Sequence, residues 1–260
     1  MGVFESTAFL LGFLAVQSGV GSVPGTGDPP VTPAGPDGQQ VAADPVKPLV
    51  PYPHPLITEV LFAVPTSGGD ANKDGTRNAT GDEFIEITNP HAEAISLAGY
   101  RLVDRHMGQE GRFGFTFPDL MLKPGQTAIV FNGLDATWTG PVGDTHRAPP
   151  GPNPHFEGAY VFTASVTSRY MALANSADFV LLENALGVPV HVVVWGNPDQ
   201  APPQDAFHTD TIQGIPRASV QRTGPDKPMA AHDSIDRQPC SPGVAFPKPP
   251  VARTEPAESP

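Results

Sequence analysis

Seven carboxylate and amide side chains crowd into the segment DANKDGTRNATGDEFIE, between residues 70 and 86. Calcium takes six to eight hard oxygen ligands, and a calcium loop of the EF-hand type supplies side chains from its positions 1, 3 and 5. Asp70, Asn72 and Asp74 stand at that spacing. Gly75 follows at position 6, where the chain must turn sharply, and the carbonyl of Thr76 falls at position 7. This pattern is typical of a calcium-binding loop.

The end of the segment departs from the EF-hand pattern. The closing carboxylate belongs at position 12, which here is Gly81, and Asp82 comes one residue later. A strand is predicted directly after it, whereas an EF-hand loop lies between helices. A one-residue bulge would still bring Asp82 or Glu83 to the ion. The predicted ligands are Asp70, Asn72, Asp74, Thr76, Asn78 and Asp82.

An alternative interpretation needs no ion. Asp and Asn side chains often accept hydrogen bonds from the backbone two residues on, so the segment is also compatible with a solvated loop of Asx turns. Crowded carboxylates repel one another without a cation, and this favours calcium. No nucleophile is predicted nearby, so the ion would serve to fix the shape of the loop.

Catalytic motifs are absent from the sequence. It contains no His-Glu-x-x-His, no Gly-x-Ser-x-Gly and no phosphate-binding Gly-Lys-Ser/Thr loop. Glu83 and Glu86 lie three apart in a predicted strand and therefore face opposite sides, which argues against a glycosidase pair. A metal-dependent phosphoester hydrolase remains an alternative if loops gather a set of histidines and one aspartate. Those residues are His146, His155, His208, Asp210 and His232.

Two tryptophans have different expected roles. Trp138 lies in the long, Pro- and Gly-rich segment 132–158, where an exposed ring would bind a sugar or a protein. This keeps a carbohydrate-binding accessory module open as an alternative function. Trp195 ends a predicted strand and is expected in the core. Segment 196–216 is a second long loop, and Arg222 is expected to cover the sandwich edge.

Composition separates one folded region from the ends of the chain. The 260 residues include 33 Pro and 27 Gly, concentrated at both ends. The apolar run 8–16 has the length of a signal-peptide core and is too short to span a bilayer, although no basic residue precedes it. We expect a signal peptide over 1–22, a Pro-rich linker over 23–55, a folded domain over 56–246 and a disordered Pro-rich tail over 247–260.

The charge and the cysteine content exclude several classes of protein. A net charge of −12 disfavours nucleic acid as a partner. The single cysteine, Cys240, excludes a disulfide framework within the chain and a cysteine-based zinc site. Cys240 is expected to be partly buried, with pairing between chains as the alternative. No transmembrane segment is predicted.

Short apolar runs alternate with turn residues between positions 57 and 222, and β-branched and aromatic residues fill the runs. This pattern predicts an all-β sandwich or barrel. The predicted strands are 57–64, 83–88, 95–104, 113–117, 127–131, 159–163, 170–174, 178–183, 188–195 and 218–222.

Six motifs in order resemble the lamin tail domain, in the form found in secreted bacterial proteins. They are ITEVL (57–61), DEFIEITN (82–89), ISLAGYRLVD (95–104), FPDLMLKPGQTAIVF (117–131), MALANSADFVLLENALGVPVHVVVWG (171–196) and ASVQR followed by CSPG (218–243). The resemblance implies an immunoglobulin-like β-sandwich with long loop insertions. His191 stands where the family often has Asp, which leaves the ligand open.

The resemblance also implies a function class. Lamin tail domains act as non-catalytic interaction modules, and the bacterial forms accompany secreted or surface proteins. We therefore expect a non-catalytic module, extracellular or at the cell surface, with a structural Ca²⁺ loop and an unidentified protein or surface glycan as its partner.

Overall fold

The computed structural model describes residues 53–109, 112–164, 172–214 and 216–247. Within these ranges the regular structure is β-strand, apart from two one-turn 3₁₀ helices at Pro154–Phe156 and His232–Ser234. The strands are β1 (Leu56–Leu61), β2 (Phe84–Thr88), β3 (Ile95–Ser96), β4 (Arg101–Val103), β5 (Gly114–Thr116), β6 (Met121–Leu122), β7 (Thr127–Phe131), β8 (Tyr160–Thr163), β9 (Asp178–Glu183), β10 (Pro189–Trp195), β11 (His208–Ile212), β12 (Val220–Gln221) and β13 (Ala230–Ala231).

Two sheets form the sandwich. One has the order β13-β12-β1-β2-β7-β8 and the other the order β11-β10-β9-β4-β5, while β3 and β6 pair separately. Neighbouring strands are antiparallel except for β7 with β8 and β10 with β11. The predicted all-β sandwich is confirmed.

The main core lies between the two sheets. Ile85 and Val60 of the first sheet and Val180 and Leu182 of the second belong to one buried apolar cluster. Trp195 is completely buried and stacks on Phe62, with ring centroids 4.1 Å apart and an interplanar angle of 9°. Its predicted core position is confirmed.

Loops cover the outer faces of both sheets. Segment 132–158 packs Trp138, Val142 and Phe156 against the outer face of the first sheet, over β7 and its neighbours. A smaller apolar cluster on the second sheet is covered by Ala206. Because both faces are covered, all five residues of β7 are buried, and the strand reads as a continuous apolar run rather than an alternating one.

Several strand predictions need correction. The predicted strand 95–104 divides into β3 and β4, because Gly99 turns the chain with a φ of +77°. Residues 172–174 are not a strand, and the rest of the predicted strand 170–174 lies outside the described residues. Strands β6, β11 and β13 were not predicted. Strand β6 has only two residues, Met121 and Leu122, which is too short to give a recognisable pattern. The polar sequence HTDTI of β11 lacks the apolar run that marks a strand.

The predicted signal peptide, all but the last three residues of the linker and all but the first residue of the tail lie outside the described ranges. Among the residues that the structure does describe, no helix has the length and hydropathy needed to cross a bilayer.

Candidate functional site: an acidic loop and two buried polar networks

The acidic loop connects β1 to β2, and the side chains of its first two predicted ligands, Asp70 and Asn72, meet at the backbone of the third, Asp74. The backbone N–H of Asp74 donates to Oδ1 of Asp70 (3.2 Å) and to Oδ1 of Asn72 (3.0 Å). The N–H of Gly75 donates to Oδ2 of Asp70 (3.0 Å). The side chains of Asp70 and Asn72 therefore approach the same stretch of backbone, and calcium binding by the loop stays a prediction.

Asp74 also joins the loop to the covering segment 132–158. Its Oδ1 accepts from the N–H of Thr76 (2.8 Å) and its Oδ2 from the N–H of Thr137 (3.1 Å). The bonds from Thr76 to Asp74 and from Asp74 to Asn72 each span two residues, which is the Asx-turn pattern. The loop thus has the turn geometry of the ion-free interpretation, and its position links two parts of the fold.

Asp82 lies buried beneath the loop. Its two oxygens accept from the N–H groups of Asn72 (2.9 Å) and Asn78 (2.6 Å), and burial raises the pKa of its carboxyl group. Gly81 precedes it because a Cβ there would lie 2.2 Å from the carbonyl oxygen of Leu134. This contact explains why position 12 carries no carboxylate and why the acid comes one residue later.

The residue types of the loop fit a hard cation. Its two basic side chains are directed elsewhere: Lys73 Nζ donates to the carbonyl of His155 (2.6 Å) and Arg77 to the carbonyls of Val64 and Pro65 (both 2.7 Å). Neither basic side chain therefore forms an ion pair with the loop's carboxylates in the described part of the chain. Within the described ranges, however, no three Asp, Glu, His or Cys side chains are arranged to hold a metal ion. A calcium site here would draw on amide and carbonyl oxygens as well.

The histidines proposed for a hydrolase have separate surroundings. His146 donates its N–H to Asp144 in a turn, His155 lies beside the acidic loop, and His232 is buried against Ser241. His208 and Asp210 lie together on β11. The predicted cluster of five is not assembled, so the hydrolase alternative has no metal centre in the described part of the chain.

A buried network of His191, Asp210 and Arg222 ties the two sheets together. The N–H of Ile57 donates to His191 Nδ1 (3.0 Å), so Nε2 carries the ring proton and donates to Asp210 Oδ2 (2.9 Å). The Arg222 guanidinium bonds the same oxygen and also the carbonyls of Ile57 (3.2 Å) and Lys227 (2.7 Å). Arg222 is thus structural, as predicted, but it is buried within this network.

Burial and charge act together on this network. Burial lowers the pKa of His191 to about 4, and the ring is therefore neutral at pH 7. Burial alone would raise the pKa of Asp210, but the hydrogen bond from His191 and the Arg222 charge hold it below its ordinary value. Sequence reasoning missed this group because Asp210 lies in a segment that was predicted to be a loop.

A second network surrounds two buried glutamates. Glu59 of β1 and Glu86 of β2 are register partners and both are fully buried. Glu86 accepts from the Thr58 hydroxyl (2.7 Å) and the Gly243 N–H (2.8 Å), and burial raises its pKa to about 7. Burial, together with the Glu86 charge, raises the pKa of Glu59 well above its ordinary value.

Glu83 contacts a different part of the fold from Glu86. Its Oε2 accepts from the Leu173 N–H (3.0 Å), and burial raises its pKa to about 9. Since Glu86 meets Gly243, the two carboxyl groups do not converge. This agrees with the expected opposite orientation of their side chains.

Comparison with known proteins identifies the family. The profile described as Lamin Tail Domain matches residues 56–197 of this chain, which is more than half of its length. The chain belongs to the Lamin Tail Domain family. Its sandwich is therefore immunoglobulin-like, and the predicted resemblance is confirmed.

The lamin tail match begins at the first residue of β1 and ends two residues after β10, so β11, β12 and β13 lie beyond it. No curated protein matches the chain. Among solved structures, a DUF4876 family protein from Bacteroides thetaiotaomicron VPI-5482 is similar at 12% identity and a TM-score of 0.36, over 79% of this chain and 74% of that one.

Trp138 and Cys240 both pack on the outer face of this lamin tail domain. The Trp138 ring is half-buried and lies 5.4 Å from the Phe131 ring, centroid to centroid. Burial raises the pKa of the Cys240 thiol to about 12, which keeps it protonated and unreactive. The ligand-binding role of Trp138 stays a prediction, and the structure adds a packing role to it.

Proposed function

We propose that this lamin tail domain is a non-catalytic binding and structural module at the cell surface, whose loop 70–82 takes up Ca²⁺. The loop carries the proposal: Asp70, Asn72 and Asp74 stand at the spacing that calcium loops use, and the first two side chains meet at the backbone of Asp74. The family supports a non-catalytic role, because lamin tail domains are immunoglobulin-like modules.

Lone pairs remain for an ion in this loop. Each carboxylate oxygen has two lone pairs, and the backbone bonds to Asp70 and Asp74 use one of them on each oxygen. A bound cation would also offset the mutual repulsion of the loop's carboxylates, which basic side chains leave unpaired.

The bound ion would stabilise the conformation of the loop. Asp74 contacts Thr137, and Asp82 holds the backbone of both Asn72 and Asn78. Fixing these side chains fixes the loop, the start of β2 and the segment 132–158 relative to one another. A shaped, acidic loop surface is the part of the module we expect a partner protein or surface glycan to contact.

Export to the cell surface is supported by the sequence. The apolar run 8–16 has the length of a signal-peptide core, and calcium is abundant outside cells. The net charge of −12 disfavours a nucleic-acid partner.

The test is thermal unfolding of the full chain with Ca²⁺, with Mg²⁺ and with a chelator. An ion held at a hundredfold over its dissociation constant adds about 2.7 kcal/mol to the free energy of unfolding. We expect a rise in melting temperature that is specific to Ca²⁺ and is lost in Asp74→Asn, which keeps the hydrogen-bond acceptor and removes the charge.

Asp144→Asn is the matched control, because Asp144 also caps an exposed turn by accepting from the N–H of His146 (2.7 Å). This variant should keep the full Ca²⁺ response. An unchanged melting temperature of the wild-type chain at millimolar Ca²⁺ would show that the loop is a set of Asx turns alone.

A further inference from the structure

Four side chains in the C-terminal part of the domain lie close together outside the acidic loop. Ser241 Oγ lies 2.9 Å from His232 Nε2, and His232 Nδ1 lies 3.1 Å from Asp236 Oδ1. The Ser241 hydroxyl donates to Oε1 of Gln221 on β12 (3.1 Å). A hydroxyl, a histidine and a carboxylate in this order form a nucleophile, a general base and an orienting group.

The hydrogen bonds of His232 fix which nitrogen accepts a proton. Its Nδ1 lies 2.9 Å from the carbonyl oxygen of Gln238, which can only accept, so Nδ1 carries the hydrogen. Nε2 of the neutral ring is therefore the nitrogen that can accept the Ser241 proton once the hydroxyl rotates from Gln221 Oε1 toward it. The ring is completely buried, which keeps this orientation fixed.

Gln221 presents its amide to the hydroxyl. Its Nε2 donates to the carbonyl of Val244 (2.5 Å), and this bond directs Oε1 toward Ser241. A carbonyl bond of about 1.23 Å places Cδ no more than about 4.3 Å from Ser241 Oγ, so a further approach of up to about 1 Å brings the two atoms to the distance of about 3–3.5 Å at which reacting atoms are positioned to react. Gln221 is completely buried, so bulk water does not compete at this carbon.

Glu59 completes the surroundings of the pair. It lies opposite Gln221 in the β1–β12 register, and its Oε1 accepts from the Ser241 N–H (3.0 Å) and the Ser219 hydroxyl (2.5 Å). Its Oε2 is 3.5 Å from Ser241 Oγ. The Ser241 backbone is thus held against β1 while its hydroxyl faces the Gln221 amide.

We propose that Ser241 and Gln221 join in an intramolecular ester, formed by the folded chain itself. The Ser241 hydroxyl gives its proton to His232 Nε2 as Oγ bonds to Cδ of Gln221. The tetrahedral centre then collapses, the Cδ–Nε2 bond breaks, and His232 returns the proton to the departing nitrogen. One hydroxyl and one primary amide become one ester and one ammonia, with no oxidant or other co-reactant.

The ester would lock the end of the domain in place. It joins β12 to the segment that covers Glu59 and Glu86, and it closes a loop between positions 221 and 241. A covalent closure restricts the unfolded chain and so raises the melting temperature. This inference is independent of calcium binding.

Peptide mapping of the purified full chain by tandem mass spectrometry tests the proposal. Trypsin releases Gln221 in ASVQR (218–222) and Ser241 in QPCSPGVAFPKPPVAR (238–253). We expect these peptides to appear joined, about 17 Da lighter than their sum because ammonia has left. Ammonia loss at any other residue leaves them separate. Mild alkali should separate the joined pair and leave Glu at position 221.

Variants test the assigned roles. Ser241→Ala and His232→Gln should give no joined peptide, and Asp236→Asn should slow its formation at least tenfold. Ser219→Ala is the matched control, because Ser219 also bonds Glu59, and it should keep the reaction. Circular dichroism and thermal unfolding establish that each variant is folded. Separate peptides alone from the folded wild-type chain after prolonged incubation, or joined peptides in His232→Gln, would overturn the proposal.

Discussion

At the scale of single residues, burial controls the protonation of the carboxyl groups of the first sheet. Glu59 and Glu86 face each other on neighbouring strands, and the bonds described for them come from hydroxyl and backbone N–H donors rather than from basic side chains. The folded state therefore favours their neutral forms, whereas the unfolded chain favours the ionised forms at pH 7.

This difference predicts a pH-dependent stability. The pKa of Glu86 rises from 4.5 to about 7 on folding, so its contribution is fully present below about pH 4.5 and is lost as pH rises through about 7. At 1.36 kcal/mol per pKa unit, the loss from this group is about 3 kcal/mol. Glu86→Gln should therefore show a smaller fall in stability between pH 5 and pH 8. Urea unfolding across this pH range measures the free energy of unfolding of both proteins. Parallel pH profiles of wild type and variant would contradict the prediction.

The Asp210 network gives a second prediction at this scale. Asp210→Asn removes the negative charge that faces the buried guanidinium of Arg222, and breaking one side of a buried ion pair costs about 3 kcal/mol. Urea unfolding at pH 7 should show this loss. Asp226→Asn, in an exposed pair with Lys227, should leave the unfolding midpoint unchanged. Equal effects of the two substitutions would contradict a buried network.

At the scale of elements, the segment 132–158 is a cover as well as a loop. Its long, breaker-rich sequence favours a functional surface, and the structure packs its Trp138, Val142 and Phe156 on the outer face of the first sheet. The acidic loop is bonded to it through Asp74 and Thr137. Any ligand surface here is therefore built on a fixed layer of the fold.

Substitution of Trp138 measures this packing role. Trp138→Ala removes a half-buried ring from the surface of Phe131, and we expect a loss of about 2 kcal/mol in the free energy of unfolding, which is below the cost at a fully buried site. Leu186→Ala, at a side chain that is 76% exposed, is the control and should have little effect. An unchanged stability of Trp138→Ala together with lost glycan binding would instead support the carbohydrate-binding alternative.

At the scale of the whole molecule, both sheets depend on one core. Phe62 follows β1 in the chain, and its ring stacks on Trp195 at the end of β10. Phe62→Ala should lower the free energy of unfolding by about 4 kcal/mol, because it opens a cavity between the sheets.

A second experiment tests whether the two sheets unfold together. In a Trp138→Phe background, fluorescence reports Trp195 alone. Its unfolding curve should coincide with that from far-UV circular dichroism, and two separate transitions would show that the sheets unfold independently.

The sequence by itself determined the fold class and the family. Runs such as TAIVF and VPVHVVVW are long enough and sufficiently β-branched to be strands whatever covers them. The spacing of Asp70, Asn72 and Asp74 predicts that the first two side chains meet near the third residue, and they do, because the contact is local in the chain. Such contacts can be predicted from the sequence because the interacting residues lie only a few positions apart in the chain.

Only the tertiary structure decided which distant residues meet. His191 and Asp210 bond across a parallel strand pair, and Arg222 reaches them from the other sheet. Gln221 and Ser241 are brought together because β12 and the segment after the second 3₁₀ helix both pack beside Glu59. The hydrophobic periodicity of the sequence does not predict these contacts, because they depend on the order of the strands and on which polar groups are buried together.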